Sequence, residues 1–118
     1  MTDRELLELA AKAAGIELWP GDAWRMITPR FSGLLLKDGA TIWNPLTDDG
    51  DALRLAVKVG RMPELIRDGS GVFCGYETKR NCHSPIIEKF GDDRMAAIRR
   101  AIVRAAAEVY RNRTTEEA

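Results

Sequence analysis

Leu34-Leu35-Leu36-Lys37-Asp38-Gly39-Ala40-Thr41-Ile42-Trp43 sets two apolar runs on either side of an Asp-Gly pair. Asp-Gly between apolar segments is the strongest short-range hairpin signal, because both residues tolerate the positive φ of a two-residue turn. A second hairpin is predicted where Pro63–Arg67 and Val72–Glu77 bracket Asp68-Gly69-Ser70-Gly71, a loop of about four residues. Trp24–Ile27, ahead of Thr28-Pro29, and Pro85-Ile86-Ile87 read as further short extended pieces. Tight turns join antiparallel neighbours, so the expectation is a small, mainly antiparallel sheet of about four strands in two hairpins.

Three helices frame these hairpins, in the order helix, hairpin, helix, hairpin, helix. Thr2-Asp3-Arg4-Glu5 is a capping box, in which the Thr2 hydroxyl accepts from the Glu5 amide. Leu6, Leu9, Ala10 and Ala13 then share a face and Gly15 ends the run, predicting a helix over 3–14. Asn44-Pro45 stops the first hairpin, and Asp48, Asp49 and Asp51 crowd the next helix start. Carboxylates there accept from unpaired amides and suit the positive helix end. This second helix is apolar at Ala52, Leu53, Leu55, Ala56, Val57 and Val59, with only Arg54 and Lys58 plainly polar, before Gly60 closes it. A helix apolar nearly all round is expected to be buried on more than one side, between the sheet and another helix. Gly91-Asp92-Asp93 opens the last helix, where Met95, Ile98, Ile102, Ala105 and Val109 form a stripe at three- and four-residue steps. Its end is expected near Tyr110–Asn112, leaving 114–118 as a frayed tail on one domain spanning 1–113. The class is α+β.

A chain of 118 residues can bury a core without disulfides or metal. Eighteen basic against eighteen acidic residues leave no net charge, which argues against a wholesale nucleic-acid coat or a polybasic membrane binder. The start, Met1-Thr2-Asp3-Arg4-Glu5, is charged, and Arg104 breaks the longest small-apolar stretch, Ala101–Ala107. Two cysteines make no disulfide framework. The expected location is cytoplasmic, with no membrane contact. The balance is uneven along the chain: residues 1–60 hold seven bases and nine acids, residues 61–118 eleven and nine.

Two segments, Trp43-Asn44-Pro45-Leu46-Thr47-Asp48-Asp49-Gly50-Asp51-Ala52-Leu53-Arg54-Leu55-Ala56-Val57-Lys58 and Ala96-Ala97-Ile98-Arg99-Arg100-Ala101-Ile102-Val103-Arg104-Ala105-Ala106-Ala107-Glu108, together with the capped N-terminal helix, resemble the phage ABA sandwich domain family of small bacteriophage and prophage proteins. The resemblance implies a three-layer α/β/α sandwich and a phage or prophage origin. It transfers no catalytic residue, cofactor or partner. Residues 15–33, with two tryptophans, carry none of it.

The candidate chemistry is thin. Cys74, Cys82 and His83 are spaced C-x7-C-H, which fits no structural zinc pattern, and a closed zinc site needs four ligands. Cys74 alternates with Val72 and Tyr76 as a core thiol would. Cys82 and His83 are sequence neighbours, which an extended backbone points apart, so no nucleophile–base pair is expected. Asp48, Asp49 and Asp51 lack the spacing of a calcium loop and are explained by helix capping. Gly69-Ser70-Gly71 and Asp38-Gly39 are turns rather than phosphate loops. No catalytic residue, metal or cofactor is expected.

Two surfaces remain. Arg94, Arg99, Arg100, Arg104, Arg111 and Arg113 face a single acid, Glu108, over residues 94–113, a local excess of +5. Arg100, Arg104 and Arg111 share one face, either a solvated surface or a phosphate-contacting ridge. Trp19 and Trp24 flank a Pro-Gly-Asp turn, as interface anchors or as plugs at the edge of the core. The leading expectation is a phage- or prophage-derived, non-enzymatic domain that binds a host or phage protein through Trp19 and Trp24. Nucleic-acid binding through Arg100, Arg104 and Arg111 is second, and an enzyme of unknown reaction third.

Overall fold

A computed structural model describes residues 1–75 and 86–117, with side chains through Arg113. The first helix, α1 (Asp3–Ala14), begins and ends where its capping residues dictate. Thr2 Oγ1 accepts from the Glu5 amide at 3.1 Å. Gly15 turns left-handed at φ 69°, which lets its amide and that of Ile16 reach the Lys12 and Ala11 carbonyls.

The first sheet has the order β1 (Trp24–Thr28), β2 (Phe31–Leu35), β3 (Ile42–Trp43), all antiparallel. The Asp38-Gly39 turn closes β2 on β3 with Leu34 opposite Trp43 and Leu35 opposite Ile42, as the opening sequence predicts. Asp38 locks it: Oδ1 accepts from the Ala40 and Thr41 amides at 2.9 Å each, and Oδ2 from the Thr41 hydroxyl at 2.6 Å. A Cβ on Gly33 would lie 2.6 Å from the Trp43 carbonyl oxygen, so β2 and β3 meet this closely only around glycine.

The second sheet has the order β4 (Glu64–Leu65), β5 (Gly71–Cys74), β6 (Ile86–Lys89), again antiparallel. The described residues thus hold six strands in two three-stranded sheets, where one sheet of about four strands was expected. The hairpins themselves form as predicted. Turn chemistry pairs strands that are neighbours in sequence but does not say whether two hairpins join edge to edge. Here each recruits its own third strand, Trp24–Thr28 in one case and Ile86–Lys89 in the other.

The two remaining helices are α2 (Asp49–Val59) and α3 (Arg94–Glu117). The expectation that α2 lies in the middle is corrected. Ala52, Leu55 and Ala56 are buried against α1 and α3, while Leu53 is 55% and Val57 68% exposed. The central element is α3. Ala97, Ala101 and Ala105 pack on Val72, Cys74 and Ile86 of the second sheet. Ile102, Val103 and Ala106 pack into the larger cluster with Leu7, Ala10, Ala14, Leu34 and Leu55. Ile98 touches both clusters. Alanines rather than the large apolar stripe do most of this burial, and Met95 remains 45% exposed. Small side chains on α1 and α3 let the helix axes approach closely, which no large residue at those positions would permit. The last helix also overruns its expected end at Tyr110–Asn112 and continues to Glu117, through the stretch expected to fray. Near that end Arg113 donates to the Ala13 carbonyl at 3.3 Å, placing a cation at the negative end of α1.

Three turn aspartates tie stability to acid. The Trp24 amide and Arg4 hold the Asp22 carboxyl below its ordinary pKa of 3.8. The Thr41 hydroxyl and the Ala40 amide do so for Asp38, and the Ser70 hydroxyl and amide for Asp68. A depressed folded-state pKa contributes stability that is complete above the unfolded value and lost as the pH falls through the folded one. Acid unfolding is therefore expected to steepen below about pH 3.8, and Asp38→Asn to flatten part of that slope, read by circular dichroism.

Candidate functional site

The arginine face predicted on α3 exists, but acids already engage it, two from other elements and one from the helix itself. Arg100 donates through both terminal nitrogens to Asp3 Oδ1 of α1, at 2.9 and 3.1 Å. Arg104 meets Glu88 of β6 at 2.7 Å and the Ile87 carbonyl at 3.3 Å. Arg111 pairs with Glu108 at 3.0 Å. The other three α3 arginines are engaged too: Arg99 with Asp49 at 2.6 Å and the Leu46 carbonyl at 2.7 Å, Arg94 over the Phe90 ring, and Arg113 with Ala13. A phosphate at Arg100 or Arg104 would have to displace a carboxylate from a neighbouring element, which lowers the gain from phosphate contact.

The tryptophans are tied into the fold. Trp24 is half-buried against the main core and pairs with Leu34 across β1–β2. Its amide donates to Asp22 Oδ1 at 3.1 Å, and the same oxygen accepts from Arg4 of α1 at 2.6 Å. Trp19 lies with its ring 3.2 Å from where a Gly39 Cβ would be, covering the Asp-Gly turn, and stays 39% exposed. Trp24 thus plugs the edge of the core, and Trp19 covers a turn with part of its ring in solvent.

Asp48, Asp49 and Asp51 divide three structural tasks. Asp48 Oδ2 caps α2 by accepting from the Asp51 amide at 2.8 Å. Asp51 accepts from the Asn44 amide at 3.0 Å and from Arg54 at 2.8 Å. Asp49 holds Arg99. Asn44, the buried polar residue of this turn, also donates to the Ser32 carbonyl at 2.9 Å, which ties the Asn44-Pro45 corner to β2. Among the described residues no group of three or more His, Cys, Asp or Glu is placed to hold a metal ion. Cys74 is fully buried, and burial pushes its thiol pKa up to about 11, the opposite of an activated thiolate. Cys82, His83 and Tyr76 lie outside the described residues.

What the sequence reading missed is an apolar groove between α2 and α3. It has a volume of about 290 Å³, with Ala52, Ile98 and Ile102 below and Leu53, Met62, Pro63 and Met95 beside it. Leu53 and Met62 are each 55% exposed. The Asp49–Arg99 ion pair closes one part of the rim. Val57 continues the Leu53 face one turn further along α2. Of two more cavities, of about 280 and 370 Å³, the first is mainly polar and the second mixed. Asn44, Asp48 and Asp51 line the first, Asp3, Glu88 and Arg100 the second, and these side chains are committed to the internal contacts above. The sequence carried only half of the signal for the groove, the other half being that α2 packs on one face alone. Leu53 and Val57 lie off the Ala52-Leu55-Ala56-Val59 stripe, so one helix face against two neighbours leaves them outside. No helix among the described residues is long and apolar enough to cross a membrane. Compared with known proteins, the chain matches no family model, no curated protein and no solved structure.

Proposed function

We propose that this chain is a non-enzymatic accessory domain that binds protein, and that it does so through the groove between α2 and α3. One observation carries this reading: Leu53, Met62 and Met95 stand in solvent around a floor that is almost wholly apolar. Exposed contiguous apolar surface with a charged rim is what protein-docking sites present, and flexible methionines let such a surface adapt to its partner. The reading moves the contact surface from Trp19 and Trp24, which are tied into the fold, to α2 and α3. A phage or prophage origin belongs to the same proposal and rests on the two resembling segments, and a cytoplasmic site of action rests on the sparse cysteine content. Nucleic-acid binding through Arg100, Arg104 and Arg111 ranks second, since each of these arginines already has an acidic neighbour.

A photo-crosslinking residue placed at Met62 tests the site. In expressing cells it is expected to give discrete protein adducts that Leu53→Glu removes, whereas the same residue placed at Trp19 gives none. Absence of adducts from Met62, or adducts indifferent to Leu53→Glu, would overturn the assignment.

A further inference from the structure

We infer that Asp22 and Arg25 form an edge guard: they occupy outward-facing backbone groups of β1 and so withhold that strand from pairing with a second copy of the chain. The register of the first sheet carries this, independently of the α2–α3 groove. The Leu35 amide donates to the Ala23 carbonyl at 2.8 Å, and Trp24 and Arg25 lie opposite Leu34 and Gly33. In an antiparallel ladder the amide and carbonyl of one residue point to the same side, and successive residues alternate. Ala23 and Arg25 therefore turn their backbone groups to β2, and Trp24 and Met26 turn theirs away from it. β1 is the end strand of its sheet, so among the described residues no strand pairs with that outer side.

Both outward groups of Trp24 are already taken. Its amide donates to Asp22 Oδ1 at 3.1 Å, and its carbonyl accepts from Arg25 Nη1 at 2.9 Å. The guards are themselves held in place. Arg25 Nη1 also donates to the Asp22 carbonyl at 2.7 Å, and Arg4 of α1 donates to Asp22 Oδ1 at 2.6 Å. The second sheet repeats the device on β6. There the Phe90 amide donates to the Ser70 carbonyl at 3.0 Å, a register that turns the Ile87 carbonyl away from β5. Arg104 donates to that carbonyl while Glu88 holds its guanidinium. An open strand edge is a template for another chain, and apolar side chains make it adhesive. Met26 is 67% and Ile27 62% exposed on β1. This strand is also its own complement, because two antiparallel copies related by a two-fold axis at Met26 exchange the same backbone groups.

Sedimentation velocity of the whole chain over a range of concentrations tests the guard, with far-UV circular dichroism as the check on folding. Arg25→Ala frees the Trp24 carbonyl and Asp22→Ala frees its amide. Each is expected to raise the self-association constant at least about tenfold over the wild type, the scale of one recovered hydrogen bond. Asp22→Ala removes a negative charge beside Arg25, so association in that variant cannot come from relieved repulsion between copies. Asp22→Asn keeps an acceptor oxygen for the Trp24 amide and should sediment as the wild type. Met26→Pro deletes an outward amide without removing a β1–β2 hydrogen bond, as proline on an edge strand can. Added to either alanine variant, it should restore wild-type sedimentation. Folded alanine variants that sediment as the wild type overturn the proposal, and so does association that Met26→Pro leaves in place. If Arg25→Ala loses structure, Asp22→Ala against Asp22→Asn decides on the same terms.

Discussion

Leu55→Ala is expected to lower the free energy of unfolding by about 2–5 kcal/mol, the range for truncating a buried leucine. Leu53→Ala, two residues earlier on the same helix, is expected to fall within about 0.5 kcal/mol of the wild type. Leu55 is 1% exposed inside the cluster formed by α1, α2, α3 and the first sheet, so its truncation opens a cavity that close-packed neighbours fill only in part. Leu53 is 55% exposed at the groove, and its truncation removes surface that already meets water. Urea unfolding separates the two cases. Equal losses at both positions would mean that α2 is enclosed on both sides, and the groove would then not exist.

Gly71→Ala is expected to cost about 1–3 kcal/mol or more, the scale of forced overpacking. The new Cβ would overlap the Glu88 carbonyl oxygen and come within 3.2 Å of Lys89 Cα. Both are backbone atoms of β6, paired with β5 in a register that sets Gly71 opposite Lys89. No flexible side chain can move aside, so relief requires the strands to part. That in turn shifts Val72 and Cys74 away from Ala97, Ala101 and Ala105, and couples the sheet edge to the second core cluster. Gly75→Ala is the matched control, with nothing among the described residues within 4 Å of its Cβ, and should be nearly neutral. Thermal unfolding of the two variants gives the comparison, and equal midpoints would refute the close β5–β6 approach.

Local chemistry was legible in the sequence, residue by residue. Thr2 and Gly15 bound α1, Asp48 starts α2, and Asp38-Gly39 turns β2 into β3, because each involves hydrogen bonds or backbone angles within a few residues of the signal. Cys74 proved to be the buried thiol that its alternation with Val72 implied. The candidate surfaces were less legible. The three arginines do fall on one face of α3, but Asp3 and Glu88 that neutralise two of them lie 97 and 16 residues away along the chain. A charge count over residues 94–113 cannot include acids that only folding brings alongside.

The sequence by itself determined the α+β class, the three helices with the starts and ends of the first two, and the two hairpins, since these follow from short-range periodicity, caps and turns. Tertiary structure decided the rest: that the strands form two separate sheets, that α3 rather than α2 is the helix buried on several sides, and that Leu53 and Val57 face outward. The physical reason lies in side-chain size. Hydropathy ranks Leu53 and Val57 above the alanines of α3, but burial goes to the helix whose small residues let neighbours approach on three sides. The larger apolar residues of α2 are left at the surface, and Leu53 among them lines the groove through which docking is proposed.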